Sequence, residues 1–317
     1  MEVCVHSSEQ WATRTARIVD TVEQAILGKR SAVESALGAL LAGGHLLIED
    51  IPGVGKTTLA KALARSLDCE FRRIQFTPDL LPSDVTGTSV FNQRTLEFDF
   101  RPGPIFSNIV LADEVNRATP KTQAALLECM EERQVTVDGH THELAPPFFV
   151  LATQNNIELS GTYPLPEAQL DRFIARISIG YPTYDDELGI MSSQSAGMPI
   201  DSIEPAIDAG GVLALQRAVR GIRIDISVQT YIVDLVTSTR NHPTLHLGAS
   251  PRGTLALMRL SQARALIQGR DFVAPDDVKS CAVHALAHRL IVRAEHRLKG
   301  TMAQECIEDI LSRTPVP

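Results

Sequence analysis

The stretch from His45 to Thr58, His-Leu-Leu-Ile-Glu-Asp-Ile-Pro-Gly-Val-Gly-Lys-Thr-Thr, constrains the fold of this chain more than any other. An apolar run suited to a buried strand (Leu46, Leu47, Ile48) meets a Pro-Gly-x-Gly turn, and a Lys-Thr pair then opens an amphipathic helix through Leu59, Leu63 and Leu67. Strand, glycine loop and helix in this order form a cradle for a polyphosphate. Gly53 and Gly55 let the backbone turn its N–H groups inward with no Cβ in the way, and the helix N-terminus adds partial positive charge. Lys56 is placed to reach the outer phosphates, and Thr57 to put its hydroxyl on a magnesium ion. The loop from Asp50 through Ile51, Pro52, Gly53, Val54, Gly55, Lys56 and Thr57 to Thr58 is therefore the candidate nucleotide-binding segment. The usual pattern has a first glycine where this chain has Asp50, a residue that tolerates the left-handed conformation better than most.

A chain of 317 residues holds one large domain or two modest ones. Its formal net charge of −8 argues against a broad nucleic-acid-binding face. No basic stretch followed by an apolar one marks the first residues, and the longest apolar run, from Leu37 to Ile48, is too short to span a bilayer. The expectation is a cytoplasmic protein. Cys4, Cys69, Cys129, Cys281 and Cys306 are widely separated, without a Cys-x-x-Cys pair, and read as reduced and structural.

Two helices precede the phosphate loop, one through Ile18, Val22 and Ile26 and one through Val33, Ala36 and Leu40. Gly28 breaks the pattern between them, either as a helix cap or as a backbone approach to a nucleotide base. After the loop's helix, Glu70 to Phe76 reads as a strand. The segment from Thr77 to about Phe100 follows as an insert, its second part a hairpin turning at Asn92-Gln93; it reads as a contact surface. The strand Ile109 to Ala112 ends in Asp113-Glu114. A continuous apolar run fits a central parallel strand, and ligands bind at the carboxyl ends of such strands. Beside a phosphate loop the acidic pair gains a chemical reading: Asp113 for magnesium, Glu114 to polarise an attacking water.

Thr119-Pro120 starts another helix, through Ala124, Leu127 and Met130, and Asp138-Gly139 marks a hairpin over 134–144. His140 and His142 share a face of that hairpin but lack a third metal ligand at suitable spacing. Phe148 to Ala152 is a further buried strand, whose end brings Asn155 forward as the residue to orient water. Arg172 has two readings, an ion pair with Asp171 or a finger aimed at a neighbour's nucleotide; spacing alone favours the first. From Thr183, which with Asp186 suits a capping box, the pattern is helical to the end, with a linker-like stretch from Ser192 to Pro199 and no further buried strand. Ser250-Pro251-Arg252 opens a strong helix, and Arg252 either folds back onto a phosphate or sits on the surface. His284 and His288 have no carboxylate between them, which excludes a zinc-protease motif.

Taken together, Ile48 to Thr57, Leu111-Ala112-Asp113-Glu114-Val115-Asn116-Arg117-Ala118, Gly161 to Phe173 and Ala249-Ser250-Pro251-Arg252-Gly253 make the chain resemble the MoxR-type AAA+ ATPases over nearly its whole length. Asp50 fits that family, while Asn156 stands where it often has proline. The resemblance implies an α/β fold: an AAA+ P-loop domain over residues 1–182 with a parallel five-stranded sheet, carrying the inserts at about 77–100 and 134–144, then a smaller all-helical lid over 183–317. It makes Lys56 and Thr57 the phosphate and magnesium residues, Asp113 and Glu114 the hydrolysis pair, Asn155 the first sensor, Arg172 the trans finger and Arg252 the second sensor. It further implies ATP and Mg2+ as ligands, a ring that is usually hexameric, and a chaperone-like action on protein partners, often ones with a von Willebrand A domain. A nucleic-acid translocase of a related AAA+ branch and a nucleotide-regulated binding switch are the alternatives. The acidic and histidine-bearing 134–144 hairpin, with Asp138, His140, His142 and Glu143, argues against nucleic acid.

Overall fold

The computed structural model describes residues 2–155, 161–196 and 199–317. In chain order the elements are α1 (Glu2–Glu23), α2 (Arg30–Leu41), β1 (Leu46–Glu49), α3 (Lys56–Ser66), β2 (Phe71–Gln75), α4 (Pro82–Thr86), β3 (Gly87–Asn92), β4 (Glu97–Pro102) and β5 (Ile109–Asp113). Then come α5 (Pro120–Glu132), β6 (Gln134–Val137), β7 (His140–Glu143), β8 (Phe149–Gln154), α6 (Glu167–Leu170), β9 (Ala175–Ile177), α7 (Tyr184–Ala196), α8 (Ala209–Gly221) and α9 (Ile226–Asn241). The chain closes with β10 (Leu245–Leu247), α10 (Pro251–Ile267), α11 (Pro275–Leu286), β11 (Ile291–Val292), α12 (Ala294–Arg297) and α13 (Ala303–Arg313).

Five strands form a parallel sheet in the order β2-β5-β8-β1-β9. The central strands are apolar on both faces because helices cover both. Leu46, Ile48, Ile109, Leu111, Phe149 and Leu151 belong to a core built with α1, α2, α3 and the C-terminal helices. Leu47, Ile74, Val110, Ala112, Val150 and Ala152 face the opposite side, against Leu126, Leu127 and Met130 of α5. The register aligns Gln75 with Asp113 and Glu49 with Gln154, so the strands end level along one edge. That common edge is where the ligand-binding loops emerge.

The inserts are both hairpins, with differences of detail from the sequence reading. The first runs to Pro102 and turns over residues 93–96 rather than at Asn92-Gln93, because the Asn92 side chain accepts hydrogen bonds from the Arg94 and Thr95 N–H groups and draws the turn onward. The second follows the Asp138-Gly139 expectation, with Asp138 (φ 50°) and Gly139 (φ 80°) both left-handed. The two hairpins meet where His142 stacks on Phe100 at a centroid distance of 4.0 Å, which gives that histidine a packing role.

Thr183 and Asp186 bond reciprocally at the start of α7, as a capping box should. The linker-like reading of residues 192–199 is corrected, since α7 continues through Ala196. Among the described residues the C-terminal region is helical apart from a small ladder, β10 against β11, of which Leu245 is buried, and a single bridge between Arg223 and Phe272. The ladder's strands have only three and two residues, too short to leave a periodic signal.

Candidate nucleotide site

The backbone sets the cradle. Gly53 (φ 84°) and Gly55 (φ 92°) both take left-handed conformations, and Gly55 sits at the N-cap of α3 with its Cα facing Ile26. A Cβ at Gly55 would touch Ile26 at 3.4 Å in a conformation that side chains avoid. Pro52, Gly53, Gly55, Lys56, Thr57, Arg73, Asp113, Glu114 and Asn155 together line a cleft of about 360 Å³, within the size range of small-molecule sites. Residues in or directly after three adjacent strands, β2, β5 and β8, and from the loop after β1 with the start of α3 thus meet at one place.

The Asp50 carboxylate does not line the cleft. Its Oδ2 accepts hydrogen bonds from the N–H groups of Ile179 (2.6 Å) and Gly180 (2.8 Å) and from Ser178 Oγ (2.9 Å), while Oδ1 accepts from Ile51 N–H at 2.9 Å. Burial opposes its ionisation, yet the hydrogen bonds from Gly180, Ser178, Ile179 and Ile51 outweigh it and lower the carboxyl pKa. The carboxylate ties the start of the loop to the segment after β9, which explains an acid at a position that usually takes glycine. Lys56 Nζ donates to the Asp50 carbonyl at 2.5 Å. Burial lowers its pKa, and the charges of Asp50, Asp113 and Glu114 act in the opposite sense.

Asp113 and Glu114 are oriented by neighbours that the sequence did not single out. Thr153 Oγ1 donates to Asp113 Oδ1 at 2.6 Å and accepts from the Glu114 N–H at 2.8 Å. Arg73 donates to Asp113 Oδ2 through Nε (3.0 Å) and Nη2 (2.6 Å). Gln75 Nε2 donates to Glu114 Oε2 at 2.9 Å, and Arg117 lies 3.1 Å from the same oxygen. Arg73 and Gln75 are two residues apart on β2 and so share a face. What hid them is the sheet order, because only the pairing of β2 with β5 brings that face to the acids.

Asn155 is buried, lines the cleft and accepts through its carbonyl from Asn116 Nδ2 at 3.3 Å. Asn156 lies outside the described residues. Among the remaining candidates, Asp50, Ile51, Val54, Thr58 and Gly28 do not line the cleft. Gly28 (φ 70°) takes a left-handed backbone beside the Asp186 carboxylate, a conformation that favours glycine whatever the space around it.

Arg172 and Arg252 are also absent from the cleft lining. The local pairing of Arg172 with Asp171 does not occur: Arg172 donates to the Leu127 carbonyl (2.8 Å) and pairs with Glu131 (3.1 Å), while Asp171 pairs with Arg289 at 2.7 Å. Arg252 reaches the same Glu131 carboxylate at 2.5 Å. Arg252 therefore does not fold back onto its own phosphate loop in this conformation; it joins Arg172 on α5.

Residues 45–175 match the family described as ATPase family associated with various cellular activities (AAA), and residues 237–310 match the AAA lid domain. The chain is 52% identical to an uncharacterized protein, YeaC, of Bacillus subtilis, over 95% of this chain and 94% of that one. It is 38% identical to Chaperone MoxR1 of Mycobacterium tuberculosis, covering 95% of this chain and 82% of the relative. A crystal structure of a candidate ATPase from Cytophaga hutchinsonii superposes with a TM-score of 0.93 at 38% identity, covering 100% of this chain and 98% of the other.

Proposed function

Because the chain belongs to the MoxR family of AAA+ ATPases, with its five-stranded parallel sheet and helical lid, we propose that it hydrolyses ATP and uses the cycle to remodel or activate protein partners. The observation that carries this reading is the single cleft that gathers the phosphate loop, Asp113, Glu114 and Asn155. Residues 1–182 form the nucleotide-binding unit and 183–317 the lid. The N–H groups of Gly53 to Thr58 cradle the phosphates, and Lys56 neutralises the outer ones. Thr57 and Asp113 offer hard oxygen ligands in one cleft, the donor set magnesium takes, and would hold that ion. When bound, it supplies positive charge to the phosphate oxygens. Glu114 polarises the attacking water, and Asn155 orients it.

Arg172 and Arg252 complete a neighbour's site rather than their own. Both stand outside the cleft of their own subunit and converge on Glu131, so they are placed to act as one basic pair. The working form is then a homo-oligomeric ring, taken as hexameric, in the cytoplasm, and no helix among the described residues is long and apolar enough to cross a membrane. A protein client or partner, including one with a von Willebrand A domain, contacts the two hairpins. His142 is engaged with Phe100 and is not free to stack on a base, which favours a protein over a nucleic-acid strand.

Lys56→Ala should abolish nucleotide binding, while Glu114→Gln should bind ATP and stall before hydrolysis. ATP-dependent capture with Glu114→Gln tests the partner class. Recovery of a specific protein only with ATP supports the reading. Recovery of nuclease-sensitive nucleic acid would replace it with the translocase, and partner binding undiminished by neutralising Glu114, without measurable turnover in the parent, would leave a binding switch.

A further inference from the structure

A buried network lies behind Arg172 and Arg252. Arg289, in the 3-10 turn after α11, has its side chain 3% exposed and points its guanidinium at the segment that carries Arg172. Nε donates to Asp171 Oδ1 at 2.7 Å, and Nη2 donates to the carbonyls of Asp171 (3.1 Å) and Phe173 (2.7 Å). Nη1 donates to the carbonyls of Ile174 (3.5 Å) and Ala285. The other oxygen of the Asp171 carboxylate accepts from Ser250 Oγ at 3.1 Å, and that same hydroxyl caps α10 by accepting the Arg252 N–H at 3.2 Å. Asp171 is therefore held on one oxygen by the guanidinium and on the other by the cap of the helix that bears Arg252.

A charge buried this deeply is a poor device for stability alone, since well-packed apolar side chains do as well without desolvating an ion. What a planar, forked donor provides is direction, because it fixes the orientation of every acceptor that it engages. We infer that Asp171 and Arg289 are positioning residues that lock the Arg172 segment to the lid, so that Arg172 and Arg252 are presented to a neighbouring subunit's nucleotide as one rigid pair. The inference rests on the reading of Arg172 as a trans finger. Arg252 on the lid and Arg172 on the sheet-bearing unit would then keep one fixed relation, and the seating of the lid in one subunit would set the catalytic competence of the next.

The test is a double-mutant cycle on the full-length protein. Asp171→Asn keeps the shape of the side chain and weakens the Arg289 pair, and Arg289→Lys keeps the charge and loses the fork. Each should lower kcat on the order of 10- to 100-fold, the penalty typical of a misplaced reacting group, while the affinity for a fluorescent ATP analogue stays at the parental value. Combined with an Arg172→Ala/Arg252→Ala double variant, neither should slow turnover further, since both residues they position are gone. Parental kcat in both single variants, or losses that multiply with that of the Arg172→Ala/Arg252→Ala double variant, would overturn the inference. An Arg172→Ala variant with parental kcat would remove the finger reading itself and is thereby distinguishable.

Hydrogen exchange on the parent tests the same lock without a substitution. On addition of a non-hydrolysable ATP analogue, amides of 170–174 and 249–255 should change protection together. A change in one segment with none in the other contradicts the lock.

Discussion

Glu114 occupies a backbone conformation that a glutamate avoids, φ 57° and ψ 51°, at a cost on the order of 1–3 kcal/mol. Its N–H is fixed by Thr153 and its carboxylate by Gln75 and Arg117, so the neighbouring strands offset the strain and aim the side chain into the cleft. Strain held in place at a strand end is consistent with the catalytic role proposed for Glu114. His45 illustrates the opposite case, a polar side chain fixed for stability. Its Nδ1 accepts from the Val150 N–H and its Nε2 donates to the Met130 carbonyl, both at 3.0 Å, so the ring must stay neutral to keep both bonds. Burial pushes its pKa from 6.5 down to about 4, partly offset by the Met130 bond. The unfolded chain therefore takes up a proton between pH 6.5 and 4 that the folded chain refuses. Stability is unaffected by this group above pH 6.5, falls as the pH drops through that window, and by about pH 4 has lost about 3 kcal/mol from this residue. His288, buried beside Arg289, is displaced in the same direction. Urea unfolding at steps from pH 7 to 4 should show this slope, and His45→Asn, which keeps an acceptor for Val150, should reduce it. An unchanged slope in the variant would contradict the assignment.

At the scale of elements, the two hairpins divide into a docked base and an exposed tip. Phe100 is half-buried and contacts both His142 and Phe106, with ring centroids 4.0 Å and 5.5 Å away. Leu96 and Phe98 are 74% and 72% exposed at the tip. Phe100→Ala should cost about 2 kcal/mol of unfolding free energy, whereas Leu96→Ser should change it by less than about 0.5 kcal/mol and leave basal ATP turnover unchanged. A loss at Leu96 as large as that at Phe100 would mean that the tip is covered in the free protein. These hairpins, the phosphate loop, the acidic strand end and the cap of α7 were legible in the sequence because each is local: its signal lies in residues next to one another. Arg73, Gln75 and Arg289 were not legible. Their importance depends on β2 lying beside β5, and on a turn after α11 folding back on the segment before β9, neither of which leaves a periodic trace. The competing readings of Arg172 turned on the same limit, for its partner Glu131 is remote in sequence and near only in the fold.

For the whole molecule, the separation of parts matters most. The cleft holds the loop, the acids and Asn155, while the two arginines gather on Glu131 outside it. If, as proposed, the arginines act on a neighbour, a subunit alone has a binding site without its full transition-state charge stabilisation, and an arginine supplied from a neighbour is worth roughly 10³- to 10⁵-fold in turnover. The most direct test is to mix Lys56→Ala, which keeps Arg172 but cannot bind nucleotide, with Arg172→Ala, which keeps the site but offers no finger. Each variant alone should be nearly inactive. Mixed in equal amounts and allowed to exchange subunits, they should recover about a quarter of the parental rate, since half of the sites are intact and half of the neighbours carry the arginine. A mixture no more active than its two components would contradict hydrolysis at a shared interface.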